Sequence, residues 1–197
     1  MNQIDTRGRI IEVCKDLIET KGYHSFSLSE VIKLSGTSHG NLYHHFKSKE
    51  NLVKQTIIKY QEDFSEVLTK INQEESSLIG CLEGLINVYT QVLEPDNTKI
   101  YLCMALIVEI NILPPSIIQE LKKFFDLQVN WITNLFSQYE PETKVLDHEI
   151  EMLVSSLEGI IAVARMKGGS EYFHNLAHQL LDNFMIAQKD KQTGLPA

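Results

Sequence analysis

Apolar residues recur at helical spacing along almost all of the 197 residues, and no stretch alternates apolar and polar residues long enough to predict a strand. The pattern therefore predicts an all-α protein with about nine helices. The first is indicated by the apolar stripe Ile10, Cys14, Leu17 and Ile18. It is expected to end at Lys21–Gly22, because glycine adopts the left-handed conformation that commonly follows a helix.

Three serines mark the starts of the next helices. Ser27–Glu30 has the pattern of a capping box that opens a short second helix. Ser38 is predicted to cap a third helix that runs through Phe46, and Ser48 a fourth that reaches about Ile71. The second and third helices are joined by Ser35-Gly36-Thr37, and the first helix is available to cover them. This arrangement predicts a helix-turn-helix.

The rest of the chain is predicted to form further helices, over 78–93, 98–111, 114–139, 145–167 and 171–188. A polar tail from Gln188 onwards is expected to be disordered. The organisation suggests two domains, residues 1–55 with the helix-turn-helix and residues 56–197 with the remaining helices.

Charge is distributed unevenly between these two parts. The net charge is −8, but the first 55 residues hold eight Lys and Arg against six Asp and Glu, with four of the seven histidines. A basic module on an acidic remainder fits a small surface that faces phosphates. No stretch has the length of a membrane span or the layout of a signal peptide, so a cytoplasmic protein is expected. The three cysteines do not suggest a disulfide framework.

The third helix carries the chemistry of a recognition helix, whose first residues would meet base edges in the major groove. His39, Asn41 and His44 are the candidate base contacts. Asn41 can pair bidentately with adenine, and Gly40 allows close approach of the backbone. The remaining candidates for DNA binding would contact or frame the phosphates: Ser27, Thr37, Ser38, Tyr43, His45 and Lys49.

The segments Thr6–Ile11, Gly22-Tyr23, Ser35–Ser38, Gly40–Phe46 and Ser48–Leu52 resemble the N-terminal signature of TetR/AcrR-type transcriptional regulators. The resemblance implies a homodimer that binds double-stranded operator DNA, represses promoters and is released by a small effector. It implies that residues 1–55 form a helix-turn-helix DNA-binding domain and residues 56–197 an effector-binding and dimerisation domain. It further implies phosphate contacts at Tyr43 and Lys49, and a dimer interface formed by the last two long helices.

The C-terminal part is loosely similar to the branch that contains the N-ethylmaleimide-reductase repressor. That branch often has a Gly-Cys pair where this chain has Leu102 and Cys103. A reactive Cys103 that senses oxidants or electrophiles is one hypothesis, and a reversible hydrophobic ligand is the other. Cys103 also lies in line with apolar neighbours, which favours burial.

The helical pattern also indicates candidate residues for an effector pocket and for a dimer interface. An effector pocket is predicted from aromatic residues, for which core packing is the alternative. A dimer interface is predicted from helices with more apolar surface than one neighbour needs, for which an intramolecular core is the alternative. The pocket candidates are Tyr89, Tyr101, Cys103, Phe124 and Trp131, and the interface candidates are Leu153, Leu157, Gly159, Ile161, Phe173, Leu176, Leu180 and Phe184.

Enzyme functions find little support in the sequence. It contains no glycine-rich phosphate loop and no Gly-x-Ser-x-Gly elbow, and His148–Met152 lacks the second histidine of a zinc-binding His-Glu-x-x-His motif. We therefore expect no catalysis, no metal, no cofactor and no membrane partner. A helical adaptor that binds only proteins is the remaining alternative, and it would lack salt-dependent affinity for DNA.

Overall fold

The computed structural model describes residues 6–93 and 101–193, and within these ranges it contains helices and no strand. The all-α prediction is confirmed. The helices are α1 Thr6–Lys21, α2 Leu28–Ser35, α3 His39–His45, α4 Lys49–Glu74, α5 Leu78–Val92, α6 Leu102–Ile107, α7 Pro115–Tyr139, α8 Asp147–Lys167 and α9 Gly169–Thr193.

Two predicted boundaries are wrong. In the described part of the helix predicted over 98–111, α6 ends at Ile107, and a short 3-10 turn follows at Ile110–Ile112. The exposed, β-branched run after Leu106 lowers helix propensity but keeps the apolar pattern, so periodicity did not mark the end. The tail predicted to be disordered from Gln188 is helical to Thr193. Residues 98–100 and 194–197 lie outside the described residues.

The chain groups into two compact units. One comprises Met1–Phe64 with Thr98–Phe124, and the other Ser65–Asn97 with Phe125–Ala197. The predicted division at residue 55 separates a DNA-binding from an effector-binding domain. The two compact units do not test these functions, so this division stays a prediction.

In the first unit, α1 packs against α2, α3 and α6. Its apolar stripe is buried, and so are Leu42 in the middle of α3 and Phe46 directly after α3. An aromatic cluster lies in the same unit, where the ring centroids of Tyr60, Phe64 and Tyr101 lie 5.1–5.9 Å from that of Phe124. The position of α3 therefore depends on α1 and on the apolar core around it.

In the second unit, α9 packs against both α5 and α8. Tyr89 meets Phe173 edge-on at 6.0 Å, and Phe136 meets Phe184 in the same way at 6.0 Å. Across the described ranges, none of the helices combines the length and the apolar character that a membrane span requires.

The predicted caps are confirmed. The Oγ atoms of Ser27, Ser38 and Ser48 accept hydrogen bonds from the amides three residues later, at 3.3, 3.2 and 3.0 Å. Gly22 and Gly36 follow α1 and α2 with φ of 78° and 65°. These positive angles require glycine, since a side chain there is strained. The turns on both sides of α2 are thus defined by the local sequence.

We expect Ser38→Ala to lower the free energy of unfolding by about 1 kcal/mol, because the third amide of α3 loses its acceptor. The control is Ser29→Ala, which changes an exposed serine within α2 and should alter stability by less than about 0.5 kcal/mol. Urea unfolding followed by circular dichroism measures both. Equal effects of the two substitutions would contradict a capping role for Ser38.

Candidate nucleic-acid interface

Helix α3 has one buried and one exposed side. Leu42 and Phe46 are fully buried, whereas every other residue from Ser38 to His45 is exposed. The exposed side consists of imidazoles, an amide, a phenol and a glycine, so it offers hydrogen-bonding groups over the whole length of the helix. A protein surface of this kind can enter the major groove, which is about 12 Å wide and admits one α-helix.

The candidate base-contacting residues His39, Asn41 and His44 are all exposed. The rings of His39 and Tyr43 stack with an interplanar angle of 17° and centroids 6.3 Å apart. His44 and His45 meet edge-on with centroids 5.1 Å apart. The backbone amide of Asn41 is bonded to Ser38, and its side chain is exposed. The residues of α3 predicted to contact bases and phosphates are thus all exposed, and their contacts with DNA stay predictions.

Among the candidate DNA-binding residues, Ser27 and Ser38 also cap helices of the protein itself. The hydroxyl oxygens of Ser27 and Ser38 accept the capping hydrogen bonds of α2 and α3. The Oγ1 atom of Thr37 is buried and has no hydrogen-bond partner among the described residues. Ser27 and Ser38 retain exposed surface. Their predicted contacts with DNA remain predictions.

Lys49 points into the protein. Its ammonium donates to the carbonyl oxygen of Phe26 and lies 4.0 Å from the centroid of the Phe26 ring and 4.8 Å from that of Tyr23. Partial burial lowers the pKa of Lys49, while the negative charge of Glu109 acts in the opposite direction. The phosphate contact predicted for Lys49 stays a prediction, and in this structure the ammonium is engaged internally.

The sequence analysis did not predict the contacts that Arg7 makes with Phe46 and with α4. Its guanidinium lies 5.8 Å from the centroid of the Phe46 ring and donates to Oε1 of Gln55 at 2.8 Å. Arg7 therefore connects α1 to α4 directly over the end of α3. The residue falls within the segment that resembles TetR-type proteins, but its spacing alone gives no sign of this contact.

The candidate effector residues are divided between the two units. Tyr101 and Phe124 pack together in the first unit, where Cys103 is also buried. Tyr89 and Trp131 belong to the second unit, where the indole of Trp131 donates to Asn72 at 3.1 Å. All five are buried. A role in effector binding is untested for each of them.

The second unit contains a buried polar cluster that the sequence did not reveal. The hydroxyl of Tyr89 donates to Oε1 of Gln128, and the amide of Gln128 donates to Oε1 of Glu158 at 3.3 Å. The other carboxyl oxygen of Glu158 is buried without a hydrogen-bond partner among the described residues. Burial raises the pKa of Glu158 to about 7, against the lowering by the hydrogen bonds from Gln128 and Tyr89.

The cysteines are buried in the interior, as the apolar stripes predicted. Burial raises the pKa of the Cys14 thiol to about 12, against lowering by a hydrogen bond from Thr56 and the charge of Lys49. A thiol of this kind is not a reactive nucleophile. Cys103 is 2% exposed, so an electrophile could reach its sulfur only after a local opening.

The candidate interface residues differ in their surroundings. Five are buried within the subunit and have no free surface for a partner, whereas Leu176 and Leu180 are half-buried and Gly159 is exposed. The apolar surface that α8 leaves free belongs to residues that the sequence did not single out. These are Met152, Val163 and Met166, which are 62%, 38% and 78% exposed. The buried five are Leu153, Leu157, Ile161, Phe173 and Phe184.

A groove of about 250 Å³ lies between α8 and α9, lined by both apolar and polar side chains. At one end Glu149 pairs with Lys191, and Glu149 also accepts a hydrogen bond from the amide of Leu146 at 3.0 Å. Elsewhere in the described ranges, no three His, Cys, Asp or Glu side chains come together in a way that could hold a metal ion.

Fold and surface together define an all-α protein with a helix-turn-helix module. Residues 10–56 match the family described as "Bacterial regulatory proteins, tetR family". Over the whole fold, a transcriptional regulator of the TetR family from Agrobacterium tumefaciens superposes with a TM-score of 0.81 at 21% identity, covering 90% of this chain and 96% of that one. Residues 10–56 therefore match the N-terminal domain of the tetR family, and the chain as a whole shares the fold of this solved structure.

Two further comparisons illustrate how far the similarity extends. The HTH-type transcriptional regulator QacR of Staphylococcus aureus strain Mu50 is 36% identical over 92 residues, which are 44% of this chain and 49% of QacR. This chain thus spans about half the length of QacR. The reduced form of NemR from Escherichia coli has a TM-score of 0.77 at 18% identity, covering 89% of this chain and 95% of NemR, and shares the fold.

We expect Glu158→Gln to raise the midpoint of thermal unfolding by about 2–6 °C at pH 8 and to leave it nearly unchanged at pH 4. The ordinary pKa of the carboxyl is 4.5, so between pH 4.5 and about 7 the folded chain holds a proton that the unfolded chain has released. The contribution of Glu158 to the free energy of unfolding therefore falls as the pH rises from 4.5 to about 7.

The measurement is differential scanning fluorimetry of both proteins across the pH range. Glu151→Gln is the control, because Glu151 lies on the exposed side of the same helix and should give little change at any pH. A shift for Glu158→Gln that does not vary with pH would contradict the raised pKa.

Proposed function

We propose that this protein is a transcriptional regulator that binds double-stranded operator DNA through α3. The observation that carries the proposal is the continuous exposed side of α3, held on a helix-turn-helix by two buried side chains. His39, Asn41 and His44 would contact bases, while Tyr43 and His45 would contact phosphates. The family match over residues 10–56 supports this assignment.

We further propose that the working form is a homodimer. Two helix-turn-helix modules contact successive major grooves when their recognition helices lie about 34–36 Å apart. The exposed apolar residues of α8, with Gly159 between them, provide a surface that a second copy could cover. A methyl group added at Gly159 would meet no atom within 4 Å in the subunit, so a partner helix could approach closely there.

The regulator would act as a repressor that a small hydrophobic effector releases. An effector that binds better to a form with more widely separated recognition helices would shift the population away from the DNA-bound form. Buried aromatic side chains are the proposed apolar surroundings for it, either Tyr101 and Phe124 in the first unit or Tyr89 and Trp131 in the second. The burial of Cys103 favours a reversible ligand over an electrophile that modifies the thiol.

We expect Asn41→Ala to weaken binding to the preferred duplex by about tenfold and binding to random DNA by less than about twofold, because a base contact carries the sequence preference. Tyr43→Ala should weaken both by a similar factor, because phosphate contacts are independent of sequence. Fluorescence anisotropy measures both, with a duplex that the wild-type protein selects from a random pool. Equal losses on both duplexes for Asn41→Ala would rule out a base contact there.

We expect the protein to sediment as a dimer at micromolar concentration and Gly159→Arg to sediment as a monomer. The arginine side chain has open space in the subunit, so the fold should persist while a close helix contact is blocked. Gly40→Ala serves as a control, because Gly40 is also exposed on a helix but lies in α3. A wild-type monomer in sedimentation velocity would rule out the dimer.

A further inference from the structure

Two histidines lie one helical turn apart on α9, and their rings are close together. His174 and His178 are four positions apart in the sequence, so their side chains leave the same side of the helix. Their ring centroids lie 4.3 Å apart, with an interplanar angle of 59°. His174 is exposed and His178 is half-buried, so a solute can reach the pair from solvent.

The packing of α9 holds this pair in place. The helix contacts both α5 and α8 within the second unit. Phe173 and Ala177, each directly before one of the histidines, are fully buried. Because these two residues fix the rotation of α9 about its own axis, the Cβ atoms of the two histidines stay about 5–6 Å apart on one side of a formed helix. Little ordering is therefore required before both rings can bind one solute.

The ring nitrogens of both histidines are available to a ligand. Among residues 6–93 and 101–193, neither imidazole has a hydrogen bond or an ion pair. Imidazole nitrogen is a ligand that Zn²⁺, Cu²⁺ and Ni²⁺ all accept. Two such nitrogens bound to one metal ion at about 2.0–2.1 Å lie about 3 Å from each other. Rings with centroids 4.3 Å apart can reach this spacing by rotation of the side chains.

The charges and the spacing around the pair favour a cation. Glu171 and Asp182 lie about one turn to either side along α9, and both are exposed. Their carboxylates raise the local concentration of cations. Asn175 stands where the zinc-binding His-Glu-x-x-His motif has its catalytic glutamate, so the chemistry that this segment offers is binding alone.

We propose that His174 and His178 form a two-histidine site that binds one divalent cation of the late first-row transition metals, Ni²⁺, Cu²⁺ or Zn²⁺. Water completes the coordination, since no third His, Cys, Asp or Glu of the described residues joins the pair. The site revises the expectation from the sequence that the protein binds no metal. It is independent of DNA binding, and it lies on a different side of α9 from Leu180 and Asn183, which line the groove to α8.

Metal binding at this site should stabilise the fold, because the unfolded chain does not keep the two histidines side by side. In protein without a histidine tag, we expect NiCl₂ at ten times its dissociation constant to raise the thermal midpoint by about 3–6 °C. MgCl₂ at the same concentration should give no shift, since Mg²⁺ prefers oxygen ligands. Differential scanning fluorimetry measures the midpoint, and titration calorimetry should give one Ni²⁺ per chain. The absence of a shift at millimolar NiCl₂ would overturn the proposal.

Substitutions separate chelation by the pair from binding to single histidines. His174→Gln and His178→Gln should each lower the affinity for Ni²⁺ at least about tenfold, because one of two ligands is lost. The double variant His178→Gln/Gln179→His keeps the number of histidines but spaces them five positions apart, so they no longer share a side of the helix, and it should lose affinity to the same extent. His148→Gln, which removes an exposed single histidine from α8, should keep the full shift.

A shift that persists in the double variant, or one that is lost in His148→Gln, would place the metal elsewhere and overturn the proposal. Sedimentation velocity with and without NiCl₂ tests whether the site belongs to one chain. We expect the same species in both conditions. A larger species that forms with Ni²⁺ and disappears in His174→Gln would mean that the metal bridges two molecules, which contradicts a site within one helix. Neither measurement uses DNA, so the result stands whether or not the protein selects an operator.

Discussion

The burial of Leu42 and Phe46 is the contact on which the candidate interface depends. A helix of seven residues is too short to be stable alone in water, because nucleation costs more than so few backbone hydrogen bonds return. α3 exists as a helix because its two apolar side chains fill the core beneath it and Ser38 caps its start. Every hydrogen-bonding group on its exposed side is presented at an angle that these buried residues determine.

Features that depend on a few consecutive residues could be predicted from the sequence. The three serine caps and the glycines after α1 and α2 follow from local rules about backbone amides and positive φ. The helix-turn-helix and the exposed side of α3 follow from them, together with the apolar positions Leu42 and Phe46. The fold class follows in the same way, because the apolar spacing is helical from one end of the chain to the other.

Features that depend on distant partners could not be predicted. Lys49 is 23 residues from the carbonyl it binds, and Glu109 is 85 residues from the amide of His24. The end of α6 was misplaced because the apolar pattern continues past it. On α8, periodicity identified an apolar side but not which residues the subunit itself covers. The raised pKa of Glu158 depends on the packing of α5, α7 and α8 around its carboxyl group, and no sequence motif predicts this packing.

The carboxylate of Glu109 occupies space that a side chain at position 22 would need, since a Cβ there would lie 2.7 Å from Oε1. A side chain at position 22 is incompatible with the present position of the carboxylate, in addition to the strain of positive φ. Replacement of Glu109 by a smaller residue removes one of these two obstacles. The effect of a substitution at position 22 therefore depends on the residue 87 positions away.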